Sequence, residues 1–386
     1  MRAGGGGLYM HWPVMETVGG WAGDCSVSSD TVTTGVWPGR FRCGALLMCR
    51  LHERLFRGLL FWCVMASSAV VLACQVPVFR YALERWTADQ YRFVVLCDGE
   101  LSQQQQSLAD RLVSRPRAAV RVHRVTDQSD VFLRDLWRQR KDLDAPLLIS
   151  LFPRTAAVET AAPAFVCALN DQSVKGIEDS AVRQDVVRRL QAGDSAVWVF
   201  LESGDSERDR AARSRLEAAL QVQQQRLKLP TASEMEITEQ QLRELRVPLR
   251  ISFSVLTLQR QDPAESFLVS CLLRSEDDLE QLQEPMVFPV FGRGRVLYAL
   301  VGEGIAEGTI SAACDFLTGP CSCQVKEQNP GFDLLLSADW EKSLGSVLVS
   351  DPLPEQSGAG RAGSAPKLLS IPPGRKSEPG GSGRVQ

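Results

Sequence analysis

Cys321-Ser322-Cys323 places two thiols one residue apart, with Cys314 shortly before them, and is the densest chemical cluster in this 386-residue chain. Two thiolates at that spacing can hold a soft ion such as Cu(I), with Cys314 as a third ligand. In an oxidising compartment the same residues can pair instead, Cys314 with Cys321 stapling a helix end, or all three can stay as free thiols. No histidine lies near enough in sequence to complete a zinc site. Histidine is scarce: His11, His52 and His123 are the three, and only His123 lies beyond residue 73. A Ser-His-Asp or Cys-His arrangement in the body would have to use it. It stands in Val120-Arg121-Val122-His123-Arg124-Val125, whose alternation predicts a strand carrying a solvated imidazole.

The remaining chemistry-bearing residues read as structural. Cys97, Cys167 and Cys271 sit in apolar runs and are expected to be small buried hydrophobes. Gly292-Arg293-Gly294 is followed by a strand, so it predicts a hairpin turn and not a phosphate cradle, and Gly302-Glu303-Gly304 opens no phosphate loop. Glu276-Asp277-Asp278-Leu279-Glu280 lacks the glycine and spacing of a calcium loop. No cofactor is implied. Charges nearly balance, 43 basic against 46 acidic for a net of −3, and no long basic block appears, which argues against a nucleic-acid partner.

At the front, Met48 to Arg57 is a short basic stretch, Gly58 to Ala73 carries no charge, and the run closes Val71-Leu72-Ala73-Cys74. A basic segment, an apolar segment and small residues before a cut are the marks of an export signal. The closing residues resemble the lipobox of bacterial lipoproteins, which implies cleavage before Cys74 and acylation of that cysteine. Two other readings stand beside it. The uncharged stretch continues through Gln75 to Phe79, long enough for an uncleaved span, or the run is a buried core helix. Either anchored form places the body on the periplasmic or exterior side of a cell membrane, with membrane lipid as a partner. Residues 1–47 fit neither signal nor helix. They are expected to be an upstream extension ahead of a start at Met48, or a disordered tail; residues 48–73 are the signal or anchor.

These residues must be positioned by elements that repeat. Tyr91–Cys97 reads as a strand, followed by a helix over 101–113, the strand around His123, a helix over 131–141, strands at Pro146–Phe152 and Ala164–Leu169, and a helix over 179–191. From Ser195 the order recurs: strand Val197–Leu201, a helix from Ser206 to about Lys228, strand Arg250–Leu258, a helix after Pro263, strands Met286–Phe291 and Arg295–Val301, and a helix over 307–317. The fold class is α/β, two tandem βαβαββα units at residues 91–193 and 195–320. Residues 321–349 form a C-terminal extension, and 350–386, rich in Pro, Gly and Ser, a disordered tail.

The unit resembles a thioredoxin domain, the second copy more closely, through Pro285-Met286-Val287-Phe288-Pro289-Val290-Phe291, Gly294, Val301-Gly302 and Phe316-Leu317. The resemblance implies that Pro285 follows a cis peptide bond and faces the turn after the first strand. That turn is Glu202-Ser203-Gly204-Asp205-Ser206-Glu207 in the second copy and Cys97-Asp98-Gly99-Glu100 in the first. Neither carries Cys-x-x-Cys, so both units are expected to be redox-silent. The segment Val76 to Trp86 directly after the lipobox cysteine also resembles exported bacterial lipoprotein-like proteins, a resemblance that brings no activity with it. The expected role is a membrane-tethered, non-enzymatic interaction or assembly protein of the cell envelope with a protein partner. The alternative is an envelope thiol-disulfide oxidoreductase or soft-metal carrier using Cys314, Cys321 and Cys323.

Overall fold

A computed structural model describes residues 75–351 except 115–117, 127–128, 140–145, 154–161, 321–325 and 327–328. All of the described residues belong to one compact unit. Among them no helix is long and apolar enough to cross a membrane.

The chain is mixed α/β with two mixed sheets. Helix α1 (Val78–Arg85) leads into β1 (Tyr91–Cys97), α2 (Gln103–Val113), β2 (Ala118–Arg124), α3 (Val131–Gln139), β3 (Leu147–Leu151), β4 (Phe165–Ala168), α4 (Asp171–Glu178) and α5 (Ala181–Gln191). The second half runs β5 (Ala196–Glu202), α6 (Ser206–Arg226), α7 (Glu239–Glu244), β6 (Phe253–Gln259), α8 (Ser266–Leu273), β7 (Met286–Phe291), β8 (Arg295–Val296), β9 (Leu300–Val301), α9 (Glu307–Thr318), β10 (Phe332–Asp333) and α10 (Trp340–Leu344).

The strand neighbours repeat between halves. In the first sheet the order is β2-β1-β3-β4, with β1 parallel to β2 and antiparallel to β3, and β3 antiparallel to β4. In the second, β5 is parallel to β6 and antiparallel to β7, and β8 and β9 both run antiparallel to β7. Val197 pairs with Ser254, placing the strand of Val197 beside the one predicted from Arg250. The parallel pairs need helical crossovers, which α2 and α6 supply.

Sequence and structure differ at identifiable places. The single strand expected over Arg295–Val301 is two short strands, because Pro289 in β7 has no N–H to give. Its carbonyl accepts Leu297 N–H at 3.0 Å, so its missing donor faces the fourth strand, which bulges opposite it. Strand β6 begins at Phe253 and not Arg250. The residues before it are used otherwise: Ser195 Oγ donates to Arg250 C=O at 2.7 Å and Ser195 N–H to Ser252 C=O. Helix α4 precedes the helix expected at 179–191, with Asn170 capping it through Ser173 N–H at 2.8 Å.

Three apolar layers result. The inner faces of both sheets share one core: Phe93, Val95 and Leu148 from the first, Val197, Val199, Leu201, Met286, Phe288 and Val290 from the second, with α2, α4, α5 and α8 among them. The outer face of the second sheet, through Trp198, Phe200, Val287 and Phe291, packs against α1, α6 and α9. Strand β5 is therefore apolar on both faces, which is why it reads as an unbroken hydrophobic run. The outer face of the first sheet, through Leu96, Leu147 and Ile149, meets α3.

Helix α1 is buried over nearly its whole surface, so Val76 to Phe79, the end of the uncharged stretch, belong to the body. Gly292 at φ +58° makes this possible, since a Cβ there would lie 2.7 Å from Ala82 Cβ. A buried ion pair, Arg80 Nε to Glu84 Oε1 at 2.5 Å, joins α1 to the last described residues. The Glu84 carboxylate accepts Val349 N–H, Ser350 N–H and, at 2.6 Å, Ser350 Oγ–H, while Arg80 also donates to Val247 C=O. A second buried network fastens the two halves: Lys326 Nζ donates to Asp89 at 2.7 Å and Asp333 at 2.6 Å, Arg295 pairs with Asp333, and Tyr91 Oη donates to Asp333 C=O.

Candidate functional site

Cys74, Cys321 and Cys323 lie outside the described residues; their described neighbours meet in a β-bridge between Pro77 and Pro320, with Val78 N–H donating to Gly319 C=O. Cys314 carries a free thiol on α9, fully buried, and burial pushes it up to about 12. A thiol at that value is protonated at neutral pH and is a poor nucleophile and ligand. Cys97 closes β1, and its pKa is raised chiefly by burial, against the pull of Arg124 and with a smaller push from Asp98. Cys271 is pushed up to about 12 and Cys167 to about 11, each by burial. His123 sits on β2, with Nε2 3.0 Å from Ser129 Oγ.

The turn after β5 is built around one carboxylate. Asp209, on the first turns of α6 and nearly buried, accepts Ser203 N–H and Ser203 Oγ–H at 2.8 Å and Gly204 N–H at 3.1 Å. Asp205 caps the helix through Glu207 N–H and Arg208 N–H, and those backbone donors, Arg208 N–H first, hold its carboxyl below the usual range. The N–H groups that could cradle an anion are thus occupied by the chain's own carboxylates. Arg208 reaches Glu284 at 3.1 Å, which brings the residue before Pro285 to this helix end. Pro285 is buried, and its carbonyl accepts Gly302 N–H at 2.9 Å. A cleft of about 340 Å³ beside the turn is lined by Phe200, Glu202, Gly204, Ser206, Asp209, Arg210 and Arg213; Pro285 is not part of its lining. It offers hydroxyl, carboxylate and guanidinium groups.

A larger groove, of about 460 Å³, opens on the other half of the molecule. Its floor is Phe93 of β1, Leu112 of α2, Ala118 of β2 and Ile177 of α4, and its far wall is the segment Leu335 to Ala338. Among the described residues, the charged groups that line it are Glu178, Asp339 and Glu341. A concave apolar surface with a few placed polar groups is the usual form of a binding site.

The groove is held open by its own hydrogen bonds. Arg183, 1% exposed, donates to Ile177 C=O at 3.0 Å on one side and to Leu335 C=O at 2.9 Å on the other. It also bonds Gly176 C=O and Ser180 Oγ and lies over the Phe267 ring at 5.2 Å. Ser337 Oγ donates to Glu178 C=O at 3.2 Å. Glu178 is gripped by Arg111 through two bonds, Glu341 pairs with Arg293 at 2.6 Å, and Asp339 caps α10. Sequence reading missed this site because its wall was assigned to an extension. The signal available was the run Leu334-Leu335-Leu336 followed by Asp339 and Glu341.

Compared with protein-family models, with curated proteins and with solved structures, the chain matches none.

Proposed function

We propose that this chain is a membrane-tethered, non-enzymatic interaction or assembly protein of the cell envelope, made of two redox-silent thioredoxin-like units. The observation that carries the reading is the apolar groove, whose rim carboxylates Glu178 and Glu341 are held in place by Arg111 and Arg293. It is preformed, pinned on both walls by Arg183, and lined by groups that bind and do not exchange electrons. The order and directions of β2-β1-β3-β4, matched by β6-β5-β7-β8 within the larger second sheet, support the thioredoxin-like comparison. So does the meeting of the β5 turn, the α6 terminus and the residue before Pro285. At the two positions where a thioredoxin-like dithiol would stand, one unit has a self-capped Ser-Gly-Asp-Ser turn and the other a buried Cys97 with a raised pKa.

The occupant this groove suits has aliphatic side chains. Ala338→Trp narrows the groove without adding charge, and Glu341→Lys reverses one rim charge. Both should reduce the partner's crosslinking to the full chain in native membranes at least tenfold, and Cys74→Ala should release the chain from lipid labelling. An unchanged crosslinking profile in both groove variants would remove the groove as the interaction site. Disulfide reductase activity present in the wild type and lost in Cys321→Ser/Cys323→Ser would instead establish the oxidoreductase alternative.

A further inference from the structure

We propose that Lys326 and Asp89 condense to a side-chain amide, with Asp333 moving the proton, so that the folded chain carries an internal covalent crosslink. The proposal is independent of the groove.

Lys326 Nζ donates to Asp89 Oδ1 at 2.7 Å, to Asp333 Oδ2 at 2.6 Å and to Thr87 C=O at 2.7 Å. An ammonium has three donors, so these acceptors fix its orientation, and the nitrogen already touches the carboxyl it would attack. Groups held in contact react as if at very high concentration, which a dissolved amine and acid do not reach. The site is also closed to solvent. The side chains of Lys326 and Asp89 are each 8% exposed, Asp333 4% and Arg295 2%. Buried Tyr91 donates to the Asp333 carbonyl, and the Arg295 guanidinium lies over the Trp86 ring at 5.7 Å.

The roles of the two carboxylates follow from their partners. Asp333 Oδ2 also accepts Asp89 N–H at 2.9 Å, and Asp333 Oδ1 accepts from Arg295 at 3.3 Å. Acylation at Asp333 would replace Oδ2 with an N–H and leave the Asp89 N–H facing a donor. Asp89 is therefore the acyl partner, and Asp333 is the base beside the nitrogen.

The reaction is a condensation with loss of water. Nζ gives one proton to the Asp89 carboxylate, leaving an amine and an acid. The Nζ lone pair forms a bond to Asp89 Cγ while the C=O π pair moves onto its oxygen. Asp333 takes a proton from the bonded nitrogen and passes it to the Asp89 hydroxyl, which departs as water while the C=O re-forms. The amide keeps one N–H, for which Thr87 C=O is in place, and Asp333 ends as it began. Charge balances as well: two cations and two anions before, the Arg295–Asp333 pair after. Condensation thus removes two buried charges, each of which carries a desolvation cost, and strands neither remaining one. The bond joins residues 237 apart in sequence, in a link that thiol reductants do not open.

The test is the mass of tryptic peptides from the denatured, reduced and alkylated full chain. Wild type should yield residues 86–92 joined to residues 296–342, uncleaved after Lys326 and lighter than the two separate peptides by one water. Free peptides 86–92 and 296–326 as the main products overturn the proposal. A peptide 296–342 that alone is uncleaved after Lys326 and lighter by one water places the bond on Asp333, and overturns the assignment to Asp89. Asp89→Ala removes the carbonyl and should give only free peptides. In Asp333→Asn the joined peptide should fall at least about tenfold, with folding checked by circular dichroism; an undiminished yield overturns the role of Asp333. The wild-type masses decide the crosslink whether or not these variants fold.

Discussion

Replacing Arg183 with leucine tests whether one buried cation holds the groove together. The side chain is 1% exposed, and its hydrogen-bond partners among the described residues are neutral. It is held by Ser180 Oγ and the carbonyls of Gly176, Ile177 and Leu335. Burial lowers its pKa, with Asp179 opposing that shift from nearby. Hydrogen bonds to a charged group contribute about 1.5–3 kcal/mol each, so four represent roughly 6–12 kcal/mol before desolvation is counted. Removing the charge returns several kcal/mol of desolvation, and leucine keeps contact with Phe267. Three carbonyls are left stranded, at about 1–3 kcal/mol each where water cannot reach them. The net loss is expected to be about 3–5 kcal/mol, the range for breaking a buried charged network. Urea unfolding followed by tryptophan fluorescence should show a midpoint lowered by about 1–2 M. Arg183→Lys keeps the charge but cannot reach both walls, and should recover less than half of the loss. A loss below about 1 kcal/mol for Arg183→Leu would refute the argument, because it would mean that Leu335 and Ile177 are held by apolar packing alone.

The buried thiols make the fold sensitive to alkali. Cys271 and Cys314 move from 9.0 to about 12 on folding, so both states keep these thiols protonated below pH 9 and nothing is lost there. Between about pH 9 and 12 the unfolded chain ionises first, and stability should fall as pH rises. Cys314→Ala should flatten part of that slope in urea titrations, and iodoacetamide at pH 8 should label native Cys314 about a thousandfold more slowly than an ordinary thiol; stability unchanged from pH 8 to 11 would contradict both shifts. Gly331 has φ +97°, and a Cβ there would fall 1.8 Å from Val296 C=O. Gly331→Ala should therefore cost at least about 2 kcal/mol and unpair β10 from β8, whereas Gly304→Ala, with open space around it, should leave the unfolding midpoint where it is.

What was legible in the sequence was what short-range periodicity encodes. The runs Val197–Leu201 and Met286–Phe291 announced central strands, because a strand buried on both faces has no polar alternate residue, and Tyr91–Cys97 did so through its apolar stretch from Phe93 onward. The start of α6 at Ser206 was legible because Glu207 and Asp209 in its first turn suit a helix N-terminus, while the structure adds Asp205 as its cap. The repeated order of strands and helices was visible for the same reason, and the described cysteines read as buried proved buried or half-buried.

What only the tertiary structure decided depends on residues far apart in the chain. Pro289 divides the fourth strand because its missing N–H faces that strand and not β5, a matter of pairing direction that composition does not hold. Val76 to Trp86 and Leu334 to Ser350 looked like a leader-proximal stretch and an extension. They are core because Glu84 finds Val349 and Ser350, and Gly292 lets Ala82 approach. The groove is the clearest case. Its floor comes from Phe93, Leu112, Ala118 and Ile177 and its wall from Leu335 to Asp339 and Glu341, and Arg183 joins them through backbone carbonyls. Every residue offers a carbonyl, so no side-chain pattern marks which ones a buried guanidinium will choose.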